Sequence, residues 1–547
     1  MAGEDQNPYA GRWVARVRGQ IVAQGGTPEQ VRRAARSTRY KETLEIVFMP
    51  TYESLTFSSL VESVRAVLPD NLTIYLVGGA VRDAMLGRVS HDLDFALSRN
   101  GIRTAKRVAN ALKADFYPLD PERDTGRVIV LAEDGTRTFM DFATFRGPDL
   151  EADLIGRDFT INAIAMDLHS RELHDPLGGV VDLKDKRLRA CSPSAFNDDP
   201  VRILRGVRQA AGFGFRLQAE TRQGMKAAAG QLGNVSPERL RDELFRILEG
   251  PQPAACLRAL DELGALHNIL PELSALKGVE QPAPHVSEVW THTLSAVQHL
   301  ESILVALTPD YHPEESAEDL FNGLLVLRLG RYRRKLAEYF GTPLNVNRSI
   351  RGLLFLTVLY HDAGKPFCRT IDEHGQMRFL GHDQCGAELA DERARQLSLS
   401  NDEIEHMEIV IRNHMRIHYL ADRLVKEKKA PSRRAIYRFF RDVGQAGIDL
   451  VLLGLADCRA TYEQSLSQET WSAYLDVCRT LLENWWEKPQ ESIAPPALIN
   501  GNDLMKIFGI SSGPKLGELL EAVREAQATG KVGTRTEALE LVRAMVK

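Results

Sequence analysis

The sequence predicts a multidomain α+β protein: a mixed α/β head followed by a long all-α body and tail. Three observations predict it. The chain has 547 residues, which at about 100–200 residues per domain calls for several domains. Between residues 56 and 185, short apolar runs with period-two alternation are interleaved with helical stretches. From residue 195 onward the apolar residues recur at helical spacing, as in the stripe Ile203, Leu204, Val207, Ala210 and Ala211.

Residues 1–52 read as a small accessory α/β module. GRWVARV and GQIVAQG alternate as a hairpin, TPEQVRRAARS opens on a helix cap, and LEIVFMP reads as a strand. Residues 53–190 form the head, with strands at TIYLVGG, HDLDFAL, DFYPL, RVIVLAE, RTFMDFATF and AIAMDL. A helical neck follows over 191–275, then a helical body over 276–465. The tail, 466–547, contains the proline-rich break EKPQESIAPPALINGND, which reads as a linker to a small terminal unit.

Apolar residues make up 44% and charged residues 26% of the chain, which excludes a disordered chain, a collagen and a coiled-coil rod. The 69 basic and 74 acidic residues leave a net charge of −5, so any nucleic-acid contact must come from a local patch. The six cysteines are scattered without a C-x-x-C pair, against a thiolate zinc site or a disulfide framework. The longest apolar runs, 353–360 and 450–456, are too short for a bilayer. The start, MAGEDQNPYAGRW, lacks the apolar centre of a signal peptide. A reduced, cytoplasmic protein with no membrane partner is expected.

The most informative stretch is YLVGGAVRDAMLGRVSHDLDFAL. Gly78 and Gly79 stand where a strand turns into a helix, and glycines there let backbone N–H groups approach a phosphate closely. Arg82 adds charge to the same anion. Asp92 and Asp94 alternate with Leu93 and Phe95, so both carboxylates share one strand face while the apolar pair enters the core. Two carboxylates beside a phosphate-binding turn suit Mg²⁺ on triphosphate oxygens and two-metal phosphoryl transfer. Asp141, in RTFMDFATF, is the candidate third carboxylate.

GGAVRD followed by HDLDFAL resembles the class II tRNA nucleotidyltransferases, the CCA-adding enzymes and bacterial poly(A) polymerases of the polymerase-β-like superfamily. GRDFTINAIAMDL, HDPLGGVVDLKDKRLRA, FNDDPVRILRGVRQAAGFGFRL and SPERLRDEL continue the resemblance in order over residues 70–245. It implies a polymerase-β-like head, with Asp92 and Asp94 holding catalytic Mg²⁺ and Gly78, Gly79 and Arg82 holding the triphosphate. Arg157, Asp158 and Asn162 belong to the family's ribose and nucleotide motif. Asp199 and Arg202 present hydrogen-bonding edges to the incoming base, and an acceptor and a donor on one helix turn suit the Watson–Crick edge of C or A. Arg205 and Arg208 lie on the same helix. The chain departs from the family in two places. Asp198-Asp199 replaces a Glu-Asp pair, and only GPDLEADLIG separates Arg146 from Arg157. Complete CCA-adding members carry a longer flexible loop there, and the shortened form resembles members that add only CC.

The body carries a second constellation: His292, the adjacent His361-Asp362, His382, His414 and Asp457. The order resembles the HD superfamily of metal-dependent phosphohydrolases and implies a divalent transition metal that activates water, with Lys365 holding a phosphate. His285, His299, His374 and His418 are expected at the surface or behind the ligands. For RNA contact, RLVKEKKAPSRRAIYRFFR (423–441), with Tyr437, Phe439 and Phe440 among its basic residues, and LGRYRRK (329–335) are the candidates.

The expected activity is template-independent addition of C residues to the tRNA 3′ end with CTP, ATP and Mg²⁺, as CC or full CCA. The expected partners are tRNA, CTP and ATP. The rivals are a poly(A) polymerase and an HD phosphohydrolase whose head binds nucleotide without polymerising it.

Overall fold

The computed structural model describes residues 12–17, 20–36, 44–49, 55, 57–132, 134–311, 319–345 and 348–546. The chain divides into two compact units, Met1–Leu232 and Gly233–Lys547.

The first unit is built on one ten-stranded sheet: β1 (Arg12–Val17), β2 (Gln20–Gly25), β3 (Glu45–Met49), β4 (Ile74–Val77), β5 (Asp92–Leu97), β6 (Asp115–Asp120), β7 (Thr125–Leu131), β8 (Arg137–Thr144), β9 (Ala165–Asp167) and β10 (Leu173–His174). The strand order is β2-β1-β3-β10-β9-β4-β5-β8-β7-β6. β5 and β8 run parallel; β4 joins them antiparallel on one side and β7 on the other. The hairpin and strand expected in the accessory module form as β1, β2 and β3. They continue the head's sheet, because β3 pairs with β10 at Phe48 and Val47.

The helices of this unit are α1 (Pro28–Arg36), α2 (Ser59–Val67), α3 (Gly79–Met85), α4 (Gly101–Leu112), α5 (Leu150–Ile155), α6 (Gly179–Lys184), α7 (Ala195–Asp198), α8 (Arg202–Phe213) and α9 (Ala219–Ala228). Alternation sorts the sheet's two faces. Leu93, Phe95, Met140 and Phe142 are buried, with the rings of Phe95 and Phe142 stacked at 4.7 Å. α4 packs on that apolar face, so closely that a Cβ on Gly126 would come within 2.7 Å of the Ala105 methyl. The alternate residues, Asp92, Asp94 and Asp141, stand on the opposite face.

The second unit is helical: α10 (Pro237–Glu249), α11 (Pro253–Glu262), α12 (Leu266–Ile269), α13 (Val289–Ala306), α14 (Leu320–Leu329), α15 (Arg333–Phe340), α16 (Ile350–Tyr360), α17 (His382–Gln396), α18 (Asn401–Asn413), α19 (Met415–Glu427), α20 (Arg433–Val443), α21 (Gly447–Tyr462), α22 (Gln468–Trp486), α23 (Pro489–Ser492), α24 (Gly501–Phe508), α25 (Pro514–Ala528) and α26 (Arg535–Val546). α16 and α21 are apolar on nearly every side and lie in the interior. The last three helices bury a cluster of their own, including Leu504, Leu519, Val523, Ala538 and Val542, beyond the proline-rich break. No helix among the described residues is long and apolar enough to cross a membrane.

Candidate functional site: two polar centres

The head centre begins where β4 ends. Gly78 has φ +75, in the left-handed region that favours glycine. A Cβ there would lie 3.0 Å from Arg157 Nη1 and 3.3 Å from Asp94 Oδ2, so the bare turn leaves room for a guanidinium and a carboxylate to meet. Asp92 is exposed at the start of β5 and Asp94 lies two residues further in. Burial pushes the Asp94 carboxyl above its ordinary pKa; Asp141 and Asp92 add to this, while Arg157 and Arg127 oppose it.

Asp141 stands directly beside Asp94 in the β5–β8 register. Both of its oxygens are engaged by a residue the sequence reading missed: Arg127 on β7 donates from Nε and Nη2 at 2.6 Å each. Arg127 is Asp141's direct partner in the β7–β8 register, and the alternation of GRVIV was the signal that could have placed it there. The expected third carboxylate is thus half of a bidentate ion pair. Oxygen donors on one face, Asp92 exposed and Asp94 half-buried, fit Mg²⁺.

The nucleotide-motif residues form one network. Arg82 Nη1 donates to Asn162 Oδ1 at 2.5 Å and its guanidinium lies 4.6 Å from the Phe213 ring. Asn162 Nδ2 donates to Asp158 Oδ1 at 2.9 Å and to Gln209 Oε1 at 3.0 Å. Arg205 Nε donates to Asp158 Oδ2 at 2.9 Å. Burial pushes the Asp158 carboxyl up, but the Arg205 charge and the hydrogen bonds from Asn162 and Phe159 leave it below its ordinary pKa. Arg202 is buried at the start of α8; its terminal nitrogens donate to the carbonyls of Gly156, Arg157 and Ala195. Asp199 caps the C-terminal end of α7, and Arg208 lies within α8.

The shortened segment after Arg146 is ordered. Asp149 caps α5 by accepting from Ala152 N at 2.9 Å. Asp153 then accepts from Arg146 N at 3.0 Å and from Arg157 Nη2 at 3.1 Å. This short helix therefore fixes the guanidinium that faces Asp94. Asp153 was not singled out in the sequence, where it reads as an ordinary helix acid.

The body centre lies among α13, α16, α17, α19 and α21. Two groups of candidate ligands converge: His292, His361 and Asp457, and Asp362, His382 and His414. Asp362 joins them, with Oδ2 3.2 Å from His361 Nε2 and Oδ1 3.5 Å from His382 Nε2. The Nε2 atoms of His382 and His414 are 3.1 Å apart, and His292 Nε2 is 3.0 Å from Asp457 Oδ1.

Three rings are oriented from behind. Nδ1 of His361, His382 and His414 bonds the carbonyls of Val358, Phe379 and Ile411 at 2.7, 2.8 and 2.7 Å. With the proton on Nδ1, each Nε2 lone pair points inward. His361 Nε2 is buried without a hydrogen bond among the described residues. Inward lone pairs, two carboxylates and a buried ring nitrogen left unbonded fit a divalent transition metal.

Burial opposes charge on His361, but Asp362 outweighs it and the pKa is raised to about 9. Burial, with His382 and His361 adding, lowers His414 to about 3. Asp362 is held well below the carboxylate range, because Lys365 and His361 outweigh its burial. Lys365 Nζ bonds Asp362 Oδ2 and Gln281 Oε1, both at 2.6 Å. Of the four histidines placed outside the ligands, His418 bonds Asp457 Oδ2 from behind at 2.8 Å, and the His285 ring lies 5.2 Å from that of His292. His299 bonds Glu463 at 3.4 Å, and His374 is exposed.

The two basic stretches are used differently from the expectation. Tyr437, Phe439 and Phe440 are buried, because α20 turns its apolar stripe inward. Arg434 and Arg438 pair with Glu525, and Tyr437 bonds Glu521 at 2.9 Å, so α20 holds α25 of the tail. In the other stretch Tyr332 is buried and its hydroxyl bonds Glu487 at 2.9 Å, while Arg331 pairs with the same carboxylate. Intramolecular contacts thus occupy the aromatic residues that were expected to meet RNA.

Three family models match the chain: the poly A polymerase head domain over 74–189, a probable RNA and SrmB-binding site of polymerase A over 214–277, and a tRNA nucleotidyltransferase domain over 494–542. A CC-adding tRNA nucleotidyltransferase of Thermus thermophilus is 33% identical, over 84% of this chain and 91% of its own. An A-adding tRNA nucleotidyltransferase of Deinococcus radiodurans is 34% identical, over 85% and 94%. A solved CCA-adding enzyme in complex with CTP shares the fold at a TM-score of 0.59 and 23% identity, covering 89% of this chain and 96% of that one.

Proposed function

Because this chain belongs to the family of CCA-adding tRNA nucleotidyltransferases, we propose that it extends the 3′ end of tRNA with C residues from CTP and stops at CC. The observation that carries this reading is the segment between Arg146 and Arg157. It is a short capped helix tied to both flanking arginines, with no length left for the flexible loop that complete CCA addition uses. ATP enters the same pocket if addition runs to CCA.

Asp92 and Asp94 would hold Mg²⁺, which supplies Lewis-acid polarisation of the triphosphate and lowers the pKa of the attacking hydroxyl. The protein's own residues position the reactants. The Gly78–Gly79 turn leaves space beside Asp94, and Arg82 and Arg157 present guanidiniums to the triphosphate and the departing pyrophosphate. Asp199 and Arg202 bound the base. Since the Arg202 terminal nitrogens are held by backbone carbonyls, Arg202 acts as a fixed wall whose remaining N–H groups select the base edge. Arg205 and Arg208 reach the nucleotide from the same helix. Positioning and fixed charge account for most of the rate.

The test uses tRNAs ending at the discriminator base, at C and at CC, each incubated with Mg²⁺ and CTP, ATP or both. Growth that stops after two C residues with ATP present supports CC addition. Completion to CCA overturns it, and repeated A addition to unrelated RNAs points to a poly(A) polymerase.

A second reading concerns the body, favoured by two neighbouring ligand groups that Asp362, a member of one and 3.2 Å from His361 of the other, links. His292, His361 and Asp457 would hold one ion and Asp362, His382 and His414 a second, and such a metal would supply an activated water. Lys365 is placed to receive a phosphate once it leaves Asp362. Metal-dependent release of phosphate from RNA ends, lost in an Asp362→Asn protein that still adds nucleotides, tests this phosphohydrolase reading.

A further inference from the structure

One row of side chains crosses the carboxylate face of the head: Asp94 on β5, Asp141 on β8, Arg127 on β7 and Tyr117 on β6, each in register with the next. The Phe139 ring lies on the same face, two residues from Asp141, with the Arg127 guanidinium 5.4 Å from its centroid. Tyr117 is 40% exposed, and Leu131, which shares the face of Arg127, is 65% exposed. The back of these strands is covered by α4. The row therefore runs from a metal-binding carboxylate to an open shelf of arginine and aromatic rings.

In-line displacement fixes what that shelf receives. The groups that hold the triphosphate, Gly78, Arg82 and Arg157, all lie on the β4 side of Asp94. The attacking and leaving oxygens stand on opposite sides of the phosphorus, so the RNA 3′ hydroxyl must arrive from the Asp141 side. At about 4.8 Å between strands, Arg127 is about 10 Å and Tyr117 about 14 Å from Asp94, within reach of the last nucleotides of the incoming strand.

We propose that Arg127, Tyr117 and Phe139 form the subsite for the 3′-terminal nucleotides of the RNA acceptor. This rests on the reading of the head as an RNA-extending site. Asp141 occupies Nε and one side of Nη2 of Arg127 and the Tyr117 hydroxyl bonds the same guanidinium, so a phosphate would meet the N–H groups that these two leave. The same pair holds Arg127 in place, which makes Asp141 a positioning residue. Tyr117 offers a ring face for a base, and stacking of this kind tolerates any sequence, as an acceptor end that changes after each addition requires.

The experiment places 2-aminopurine at the 3′ end of a tRNA and reads its fluorescence without nucleotide, alongside KM for tRNA and for CTP. Quenching by the wild-type protein and by Tyr117→Phe, lost in Tyr117→Ala, is expected. KM for tRNA should rise about five- to tenfold in Tyr117→Ala while KM for CTP stays unchanged. Arg127→Lys, which keeps the charge beside Asp141 and loses the fork, should raise the same KM with its salt dependence kept. If Tyr117→Ala keeps both the quenching and the tRNA KM while the wild type adds nucleotide normally, the subsite is overturned and the proposed activity stands. If the wild type extends none of the acceptors, the proposed activity falls and takes the subsite with it.

Discussion

The head and body centres both gather acids around a space for divalent cations, yet they are held together by opposite means. In the head, the charge of the carboxylates is balanced by guanidiniums: Arg157 faces Asp94 across Gly78, and Arg127 grips Asp141. In the body, the ligand rings are aimed by backbone carbonyls behind them. A centre balanced by side-chain charge suits an exchangeable Mg²⁺ that arrives with a triphosphate. A buried centre with its ring tautomers fixed suits a resident transition metal.

The largest expected effects are losses that respect this division. Asp94→Asn should lower nucleotide addition by at least about a thousandfold, and a metal assay of the purified protein should find the body's transition metal unchanged. Asp362→Asn should do the reverse: it removes a carboxylate that belongs to one ligand group and lies 3.2 Å from His361 of the other, so metal retained through gel filtration should fall to background while CTP addition stays within about twofold. Loss of CTP addition in the Asp362 variant would break the comparison, because it would make the body's metal part of the head's chemistry.

pH sharpens the contrast. His361 in the metal-free body has its pKa raised to about 9, so at neutral pH it carries a proton that an incoming metal must displace. Apparent metal affinity should therefore rise about tenfold per pH unit up to about pH 9 and level off above it. One proton per His361 should appear in weakly buffered titrations at pH 7. In the metal-free protein the sign is opposite. The charged His361 contributes stability that is fully present below the ordinary histidine pKa and is lost as pH rises through about 9, which thermal melts under chelator can follow. Asp94 is raised as well, by burial first, so Mg²⁺-dependent addition should decline on the acid side.

How much of this was legible in the sequence follows from which interactions are local. GGAVRD and DLD could be read because a turn and a strand face are set by a few adjacent residues, and β4, β5 and α3 form where that pattern places them. The histidine order in the body was legible as a resemblance, but the approach of Asp362 to His361 on one side and His382 on the other depends on five helices converging. Arg127 escaped notice because it takes its role from a cross-strand contact that a linear pattern does not display, and Asp153 because its partners, Arg146 N in the preceding loop and the Arg157 side chain four residues on, matter only once Arg157 is seen to face Asp94. The basic, aromatic stretch 423–441 misled for a related reason. Composition signals a surface, whereas the stripe of Ile436, Tyr437, Phe439 and Phe440 is the inward face of an amphipathic helix.

Asp153 offers the smallest and most discriminating test. It touches neither a metal ligand nor the nucleotide pocket in the way Arg82 does; its carboxylate binds Arg146 N and the Arg157 side chain. Asp153→Asn keeps the shape and one acceptor but removes the charge that restrains Arg157. If the head works by balanced charge, Arg157 should then lean further onto Asp94, compete with Mg²⁺ and raise the Mg²⁺ concentration for half-maximal activity about three- to fivefold. High Mg²⁺ should restore kcat, because competition of this kind is overcome by mass action. A variant whose kcat stays low at saturating Mg²⁺ would show that α5 acts by shaping the pocket, and the head would then resemble the body in being held by geometry.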